Sequence, residues 1–369
     1  MTIESKMRVI HVCPYDYDTS GGHSNAIRSL AEGQVGLSAD VTVLSYQQER
    51  VTSERNNSKV KTEVYQNDGE LISYVKDLEL TECLVISFCG VRPLDVACAR
   101  VCRKRGIKYV FSSGGALHYR SAKIWFKKFV YVNFLTQYFR GASGLIATTE
   151  FERARLSRLL PCYRGGKGVI PNIIEVPPNL PTRQDQEGSG FVFGFMGRLD
   201  VYTKGLDYLI EAFAGLEVNG KAKLVLVGPN HHGGKEALSD LVDKYGVKDR
   251  VEIRDPAYGD DKERFFSEID CFVSISRWEA FGISFVEAMS RGVATIISDQ
   301  VNLKIELQRN KAAALVPLNT SQITKEMMKM MRDKSYRMTI SESGEKWASG
   351  AFQQRMVAED SLKFYGELK

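Results

Sequence analysis

The sequence lacks any long apolar run. Hydrophobic residues make up 43% of its 369 residues, but no stretch approaches the roughly 18 consecutive apolar residues of a membrane-spanning helix. The hydrophobic content is enough to build sizeable cores, so an intrinsically disordered chain is excluded. At this length we expect two or three domains. The opening residues, MTIESKMRVIHVC, are polar and then strand-like, which predicts no signal peptide.

Clustered cysteines are also lacking. The seven cysteines include no CxxC pair and no Cys/His cluster, which excludes the usual spacing of a zinc site. An odd number of scattered cysteines is typical of reduced thiols that fill core space. We therefore expect a cytoplasmic protein with reduced thiols.

Acidic residues are absent between Val96 and Thr149, where basic and aromatic residues are interleaved, and the net charge of the whole chain is +5. One interpretation of 96–149 is a core helix with a solvated basic face, whose aromatic residues pack inward. The other, which the absence of acids favours, is a segment that lies on an anionic membrane surface. No recognised nucleic-acid-binding module is present, so nucleic acid is not expected as a partner.

Strands and helices alternate along both halves of the chain. Segments such as MRVIHVCP and VTVLSY precede helical ones, and repeated units of this kind build parallel, doubly wound sheets. A proline-rich and polar linker, IEVPPNLPTRQDQEGSG, separates the two series. We predict an α/β protein of two Rossmann-like domains, 1–178 and 179–349, with a C-terminal helix over 350–369 that returns to the first domain.

The stretch from Ser276 to Gly292, SRWEAFGISFVEAMSRG, follows an apolar strand. Glu279 and Glu287 lie on either side of Gly282, and the apolar positions after this glycine recur at helical spacing. The pattern predicts a loop, a tight turn and a helix that carries Glu287. Because the N–H groups at a helix start attract anions, the arrangement suits a ligand with a sugar at one end and a phosphate at the other.

Together these motifs resemble the retaining family-four glycosyltransferases. The matching segments occur in the expected order in both halves, and the last is the most specific: an N-terminal strand leading to SGGHS, VIPN (169–172), GFMGRLDVYTKGLDYLIEAF (194–213), KLVLVGP (223–229) and WEAFGISFVEAMSRGVATIISD (278–299). The resemblance implies the GT-B fold, in which the parallel sheets of two domains face each other across a cleft. It also implies that the first domain binds the acceptor and the second a UDP- or GDP-sugar donor.

The resemblance assigns roles to four charged residues. Arg198 and Lys204 match the basic pair that binds the donor diphosphate, and cations placed there neutralise the charge that grows on a departing phosphate. Glu279 matches the glutamate that contacts the transferred sugar, and Glu287 matches the one that holds the ribose hydroxyls. We therefore expect Arg198, Lys204 and Glu279 to be catalytic and Glu287 to bind the donor.

Two turns are the other matched donor-binding positions. Phe281, Gly282 and Ile283 match a turn whose N–H groups touch the sugar and the phosphate. Gly21 and Gly22 match a glycine loop that lets the N-terminal backbone approach the diphosphate.

His118 is expected as a further catalytic residue, because relatives carry a histidine near the transferred sugar just past a strand of the first domain. Here that strand end reads FSSGGALHY, and Ser113 or a glycine takes the expected position. His118 either reaches the cleft from a loop or is an ordinary helix residue. Asp16 and Asp18 form a DxD pattern, as in metal-dependent glycosyltransferases of a different fold. We interpret them as ordinary loop residues, because the other motifs belong to a metal-independent class.

The resulting hypothesis is a retaining, metal-independent hexosyltransferase that needs no cofactor. Its acceptor would be a saccharide or a lipid-linked molecule in surface polysaccharide, lipopolysaccharide or other glycolipid synthesis, and the enzyme would be cytoplasmic, with a peripheral position on the inner face of the membrane. One alternative is a nucleotide-sugar epimerase on a similar fold. Another is a catalytically silent sugar-nucleotide-binding protein, against which the complete set of four charged residues argues.

Overall fold

The computed structural model describes residues 8–13, 22–46, 60–87, 93–112, 139, 141–175, 190–217 and 222–368. The chain divides into two compact units, Met1–Ile173 with Phe352–Lys369, and Ile174–Ala351. The sequence-based boundaries lie after residue 178 and before residue 350. Each unit contains one sheet, and all strand pairs in both sheets are parallel.

The N-terminal unit has a seven-stranded sheet in the order β3-β2-β1-β4-β5-β6-β7. Its strands are β1 (Arg8–Cys13), β2 (Asp40–Tyr46), β3 (Lys61–Tyr65), β4 (Glu82–Ser87), β5 (Lys108–Ser112), β6 (Gly144–Ala147) and β7 (Gly166–Val169). Its described helices are α1 (Gly22–Gly36), α2 (Asp68–Asp77), α3 (Pro93–Arg105), α4 (Glu150–Leu159) and, from the end of the chain, α12 (Gln354–Gly366).

The C-terminal unit has a six-stranded sheet in the order β10-β9-β8-β11-β12-β13. Its strands are β8 (Phe191–Met196), β9 (Ala222–Val227), β10 (Val251–Arg254), β11 (Cys271–Ser274), β12 (Ala294–Ser298) and β13 (Ala314–Val316). Its described helices are α5 (Leu206–Ala214), α6 (Gly234–Lys244), α7 (Asp260–Glu268), α8 (Ile283–Ser290), α9 (Lys304–Asn310), α10 (Thr320–Arg332) and α11 (Lys334–Ala351).

The central strands are apolar on both faces, because helices cover a doubly wound sheet on both sides. All five residues of β12 are buried, and so are all four of β11. The predicted α/β class with two parallel sheets is confirmed. None of the helices that the structure describes has the length and the apolar content needed to cross a bilayer.

Local capping explains where several helices begin. At α4, Thr149 Oγ1 accepts a hydrogen bond from Glu152 N at 3.2 Å, and Glu152 Oε2 accepts one from Thr148 N at 2.8 Å. Such a reciprocal capping box satisfies N–H groups that have no partner inside the helix. At α2, Asn67 and Glu70 form a similar pair.

A buried polar chain joins α12 to the N-terminal sheet. His11 on β1 lies with Nε2 2.8 Å from Gln34 Oε1 on α1. Gln34 Nε2 donates to Ser361 Oγ on α12 at 2.8 Å, and Ser361 Oγ donates to Ala358 O at 2.7 Å. Burial lowers the pKa of His11 to about 4, although the hydrogen bond to Gln34 opposes this shift. The imidazole is therefore neutral in the folded protein and donates from Nε2.

Candidate functional site

The predicted donor-binding residues follow two adjacent strands of the C-terminal sheet. Arg198 and Lys204 follow β8, whereas Glu279, Phe281 and Gly282 follow β11. These strands are neighbours in the sheet, although β9 and β10 separate them in the sequence. The chain continues from β8 to β9 and β10 on one side, and from β11 to β12 and β13 on the other. The gap between β8 and β11 is therefore a topological switch point. Doubly wound proteins bind ligands at such points, at the carboxyl ends of the strands.

Hydrogen bonds hold the loop after β8 against the loop after β11. Asp200 Oδ1 accepts from Thr203 N at 2.9 Å, which closes a tight turn ahead of Lys204. Arg277 N donates to Thr203 O at 2.9 Å, and the guanidinium of Arg277 grips both oxygens of Asp207 at 2.8 and 2.6 Å. This two-pronged geometry is the most specific one open to an arginine–carboxylate pair, so the approach of the two loops is well defined.

Lys204 and Glu279 form an ion pair across these loops. Lys204 Nζ donates to Glu279 Oε2, and each side chain is 17% exposed. A pair at this depth is partly shielded from bulk water, so its two charges attract each other more strongly than they would in bulk solvent. The residual exposure still gives a ligand access to both charges.

Gly282 starts α8 in a left-handed conformation with a φ of +83°. A Cβ at this position would lie 1.8 Å from Cε1 of Phe285, so only glycine fits this turn. No described side chain caps the helix, and its first residue is Ile283. We therefore expect the N–H groups at the start of α8 to be available to an anion. Phe281 is buried beneath the turn at 3% exposure.

Glu287 lies on α8 and pairs with a lysine that the sequence analysis did not single out. Lys262 Nζ on α7 donates to Glu287 Oε1 at 2.8 Å. Arg291, which is almost fully buried, donates to Glu287 O at 3.0 Å and holds both oxygens of Glu263 at 2.6 and 2.7 Å. The two ion pairs bind α7 to α8 and fix the position of the Glu287 carboxylate.

Arg198 is exposed and contacts a second unpredicted residue. Its Nη1 lies 3.4 Å from Nε2 of His231, on the loop between β9 and α6. The pKa of Asp200 is lowered: partial burial opposes the shift, but the hydrogen bonds from Thr203 and the nearby charge of Arg198 outweigh it. At the carboxyl ends of β8 and β11, the cations Arg198 and Lys204 thus lie beside the carboxylates of Asp200 and Glu279.

Of the candidate site residues in the N-terminal unit, the structure describes only Gly22. Gly22 is the first residue of α1. Gly21 and His118 lie outside the described residues, as do Asp16 and Asp18, so their roles stay predictions. Of the 96–149 stretch, residues 113–138 and 140 also lie outside them.

Two of the residues missed by sequence reasoning act on a predicted site residue from another element. His231 contacts Arg198 from the loop after β9, and Lys262 on α7 is 25 residues from Glu287 in the chain. The third, Asp200, lies in the same loop as Arg198 and Lys204. No local motif signals such pairs. The available hint was the position of each residue directly after a strand or in the first turn of a helix.

Comparisons with known proteins agree with this architecture. Residues 180–347 match the family model described as glycosyl transferases group 1. An uncharacterized glycosyltransferase of Methanocaldococcus jannaschii is 27% identical over 173 residues, which cover 46% of this chain and 43% of that protein. The GDP-mannose:cellobiosyl-diphosphopolyprenol alpha-mannosyltransferase of Xanthomonas oryzae is 26% identical over 194 residues, which cover 52% of this chain and 49% of that protein. This chain thus spans less than half the length of these curated relatives.

Among solved structures, HepE from Anabaena, in complex with UDP and glucose, superposes with a TM-score of 0.73 at 17% identity, covering 98% of this chain and all of that one. At this identity the likeness shows the fold alone, and that fold is GT-B. The chain therefore has the GT-B fold, and its residues 180–347 match the group 1 glycosyltransferase model.

Proposed function

We propose that this protein is a retaining, metal-independent glycosyltransferase that moves a hexose from a nucleotide diphosphate sugar to an acceptor hydroxyl. The observation that carries the proposal is the convergence of Arg198, Lys204, Glu279 and the start of α8 at the carboxyl ends of β8 and β11. Cations, free N–H groups and a carboxylate in one place match the chemistry of a pyrophosphate joined to a sugar.

The cations would serve the leaving group. Charge separates between an oxocarbenium-like sugar ring and the departing phosphate in the transition state. Arg198, Lys204 and the N–H groups of α8 stabilise the anion, and such preorganised donors contribute most when water is excluded.

The Lys204–Glu279 pair supports an exchange of partners on donor binding. Lys204 would turn from the carboxylate to the diphosphate, and Glu279 would accept hydrogen bonds from sugar hydroxyls. Glu279 thereby orients the anomeric carbon. Glu287, held by Lys262 at 2.8 Å, would accept from the ribose hydroxyls.

Retention follows if the departing phosphate takes the acceptor proton on the face that it leaves. A double displacement would need a carboxylate nucleophile placed at the anomeric carbon, and in this proposal Glu279 is committed to the sugar hydroxyls. The proposal therefore assigns the proton transfer to the substrate phosphate, with no metal ion or cofactor.

The relatives narrow the substrates without deciding between them. The Xanthomonas protein is named for GDP-mannose and a polyprenol-linked acceptor, and HepE was solved with UDP and glucose. We propose a UDP- or GDP-sugar donor and a saccharide or lipid-linked acceptor. In this proposal the enzyme is cytoplasmic, acts in surface polysaccharide or glycolipid synthesis, and uses the basic stretch 96–149 to contact the inner face of the membrane.

A panel of UDP- and GDP-sugars tests the proposal. Thermal shift identifies the donor, and NMR follows its fate with and without candidate acceptors. Arg198→Ala and Lys204→Ala should each lower transfer by about 100-fold or more, whereas Lys248→Ala, an exposed control in a surface ion pair, should not. Circular dichroism checks that all three variants fold.

Three results would contradict the proposal: normal turnover by both site variants, a donor epimerised without acceptor, or a donor bound but never transferred.

A further inference from the structure

His231 occupies a position between two charged groups of the candidate site. Its Nε2 lies 3.4 Å from Arg198 Nη1 and 3.9 Å from Asp200 Oδ2. A guanidinium only donates hydrogen bonds. The contact with Arg198 therefore requires a lone pair on Nε2, which in a neutral imidazole places the proton on Nδ1.

The backbone is built to bring this loop against β8. Leu199 N donates to Pro229 O at 3.0 Å, and Gly234 N donates to His231 O at 3.1 Å. A Cβ at Gly234 would lie 1.6 Å from Leu199 O, so only glycine permits so close an approach. His232 adopts a left-handed φ of +51°, which is uncommon for a residue with a side chain and clusters at functional sites.

Asp200 completes the arrangement. Its Oδ1 is occupied by Thr203 N at 2.9 Å, which leaves Oδ2 facing the imidazole. The ring of His232 lies against that of His231, with the centroids 4.1 Å apart. His231 is thus held by a ring contact with His232, by its loop and by the guanidinium of Arg198.

We infer that His231 is a positioning residue for the donor diphosphate: as a neutral Nδ1–H imidazole it accepts from Arg198 and holds the guanidinium at the end of β8. The inference rests on the proposed function, because it assigns Arg198 to the diphosphate. His231 acts through Arg198 and touches no reacting atom. The remaining N–H groups of Arg198 stay free to point at phosphate oxygens.

The first test needs no donor. The ¹⁵N–¹H spectra of the five histidines report which ring nitrogen carries the proton, and His231→Gln and His232→Gln variants assign the two signals. We expect the neutral ring of His231 to be protonated on Nδ1 and to shift towards the Nε2–H form in Arg198→Ala. A wild-type ring protonated on Nε2 overturns the inference.

The second test measures the affinity for UDP and GDP by calorimetry. His231→Ala should weaken binding of the preferred nucleotide about 5- to 10-fold, the usual loss for one hydrogen bond. His231→Gln retains an acceptor oxygen and should restore most of the affinity, and the exposed Lys248→Ala serves as the control without effect.

A mutant cycle separates positioning from a merely structural role. In an Arg198→Ala background, His231→Ala should cause no further loss, because its effect passes through the guanidinium. Additive losses, or an unchanged affinity in His231→Ala, overturn the inference. If neither nucleotide binds the wild type, the proposed function and the donor-site role fail together, while the tautomer spectrum still decides whether the Arg198–His231 contact exists.

Discussion

The two units share a parallel, doubly wound sheet but place their polar interactions differently. In the N-terminal unit, His11 and Ser361 belong to a fully buried chain that ties α12 to β1 and α1. In the C-terminal unit, Lys204 and Glu279 meet beyond the strand ends, and each keeps 17% of its side chain exposed. The same fold thus uses one set of polar contacts to hold helices, whereas the other, in the proposed function, binds the donor.

The difference has a physical basis. A fully buried polar group must be satisfied by the protein, because no water or ligand reaches it, and its loss costs stability. A partly exposed ion pair can exchange its partner for a ligand at little net cost. We therefore expect substitutions in the buried chain to affect folding, and those at the strand ends to affect activity.

The largest expected effect comes from Gly282→Ala. The left-handed backbone and the overlap with Phe285 should together destabilise the C-terminal unit by about 4 kcal/mol. Gly246→Ala is the matched control, because its φ is +65° and a Cβ there meets nothing within 4 Å. It should cost only about 1–2 kcal/mol. Equal losses in urea unfolding would show that the overlap with Phe285 contributes nothing.

The next effect concerns the pH dependence of stability. The pKa of His11 is about 4 in the folded protein against a usual 6.5, so between these values the unfolded chain binds a proton that the folded one does not. The free energy of unfolding should fall by about 3 kcal/mol as the pH drops through this window. His11→Gln, which keeps a donor near Gln34, should lose this component. Identical pH profiles for wild type and variant would contradict it, and nucleotide affinity at neutral pH should not change.

Glu279→Gln should produce the reverse pattern. It keeps the shape of the side chain but removes the charge beside Lys204, so transfer should fall about 100-fold, equivalent to about 2.7 kcal/mol of barrier. The free energy of unfolding should change by only about 1 kcal/mol. A large loss of stability with normal transfer would show that this ion pair, like the buried chain of the N-terminal unit, serves folding rather than activity.

The smallest effect is expected at an exposed ion pair. Glu150 and Arg153 pair on α4, where Arg153 Nη2 lies 2.8 Å from Glu150 Oε2, and each side chain is more than 40% exposed. Glu150→Gln should change stability by about 0.5 kcal/mol or less and leave transfer unaffected. A larger change would mean that exposed charges in this protein matter more than their solvation suggests.

Sequence reasoning succeeded where apolar runs and turn residues are local signals. It predicted β8, β11 and the loop, glycine turn and helix that carry Glu279, Gly282 and Glu287. It did not predict β3, KTEVY at Lys61–Tyr65, because this edge strand is largely exposed and mostly polar. The three-residue β13 is too short to stand out from its surroundings.

The amino-acid order alone specified two alternating α/β series and the residue types placed after their strands, since periodicity and turn chemistry act over a few residues. Only the tertiary structure decided the partners: Lys204 with Glu279 across 75 residues, and Arg198 with His231 across 33. The reason is that parallel strands become neighbours through crossovers. Strand order and register, rather than distance along the chain, therefore determine which loops share an edge of the sheet.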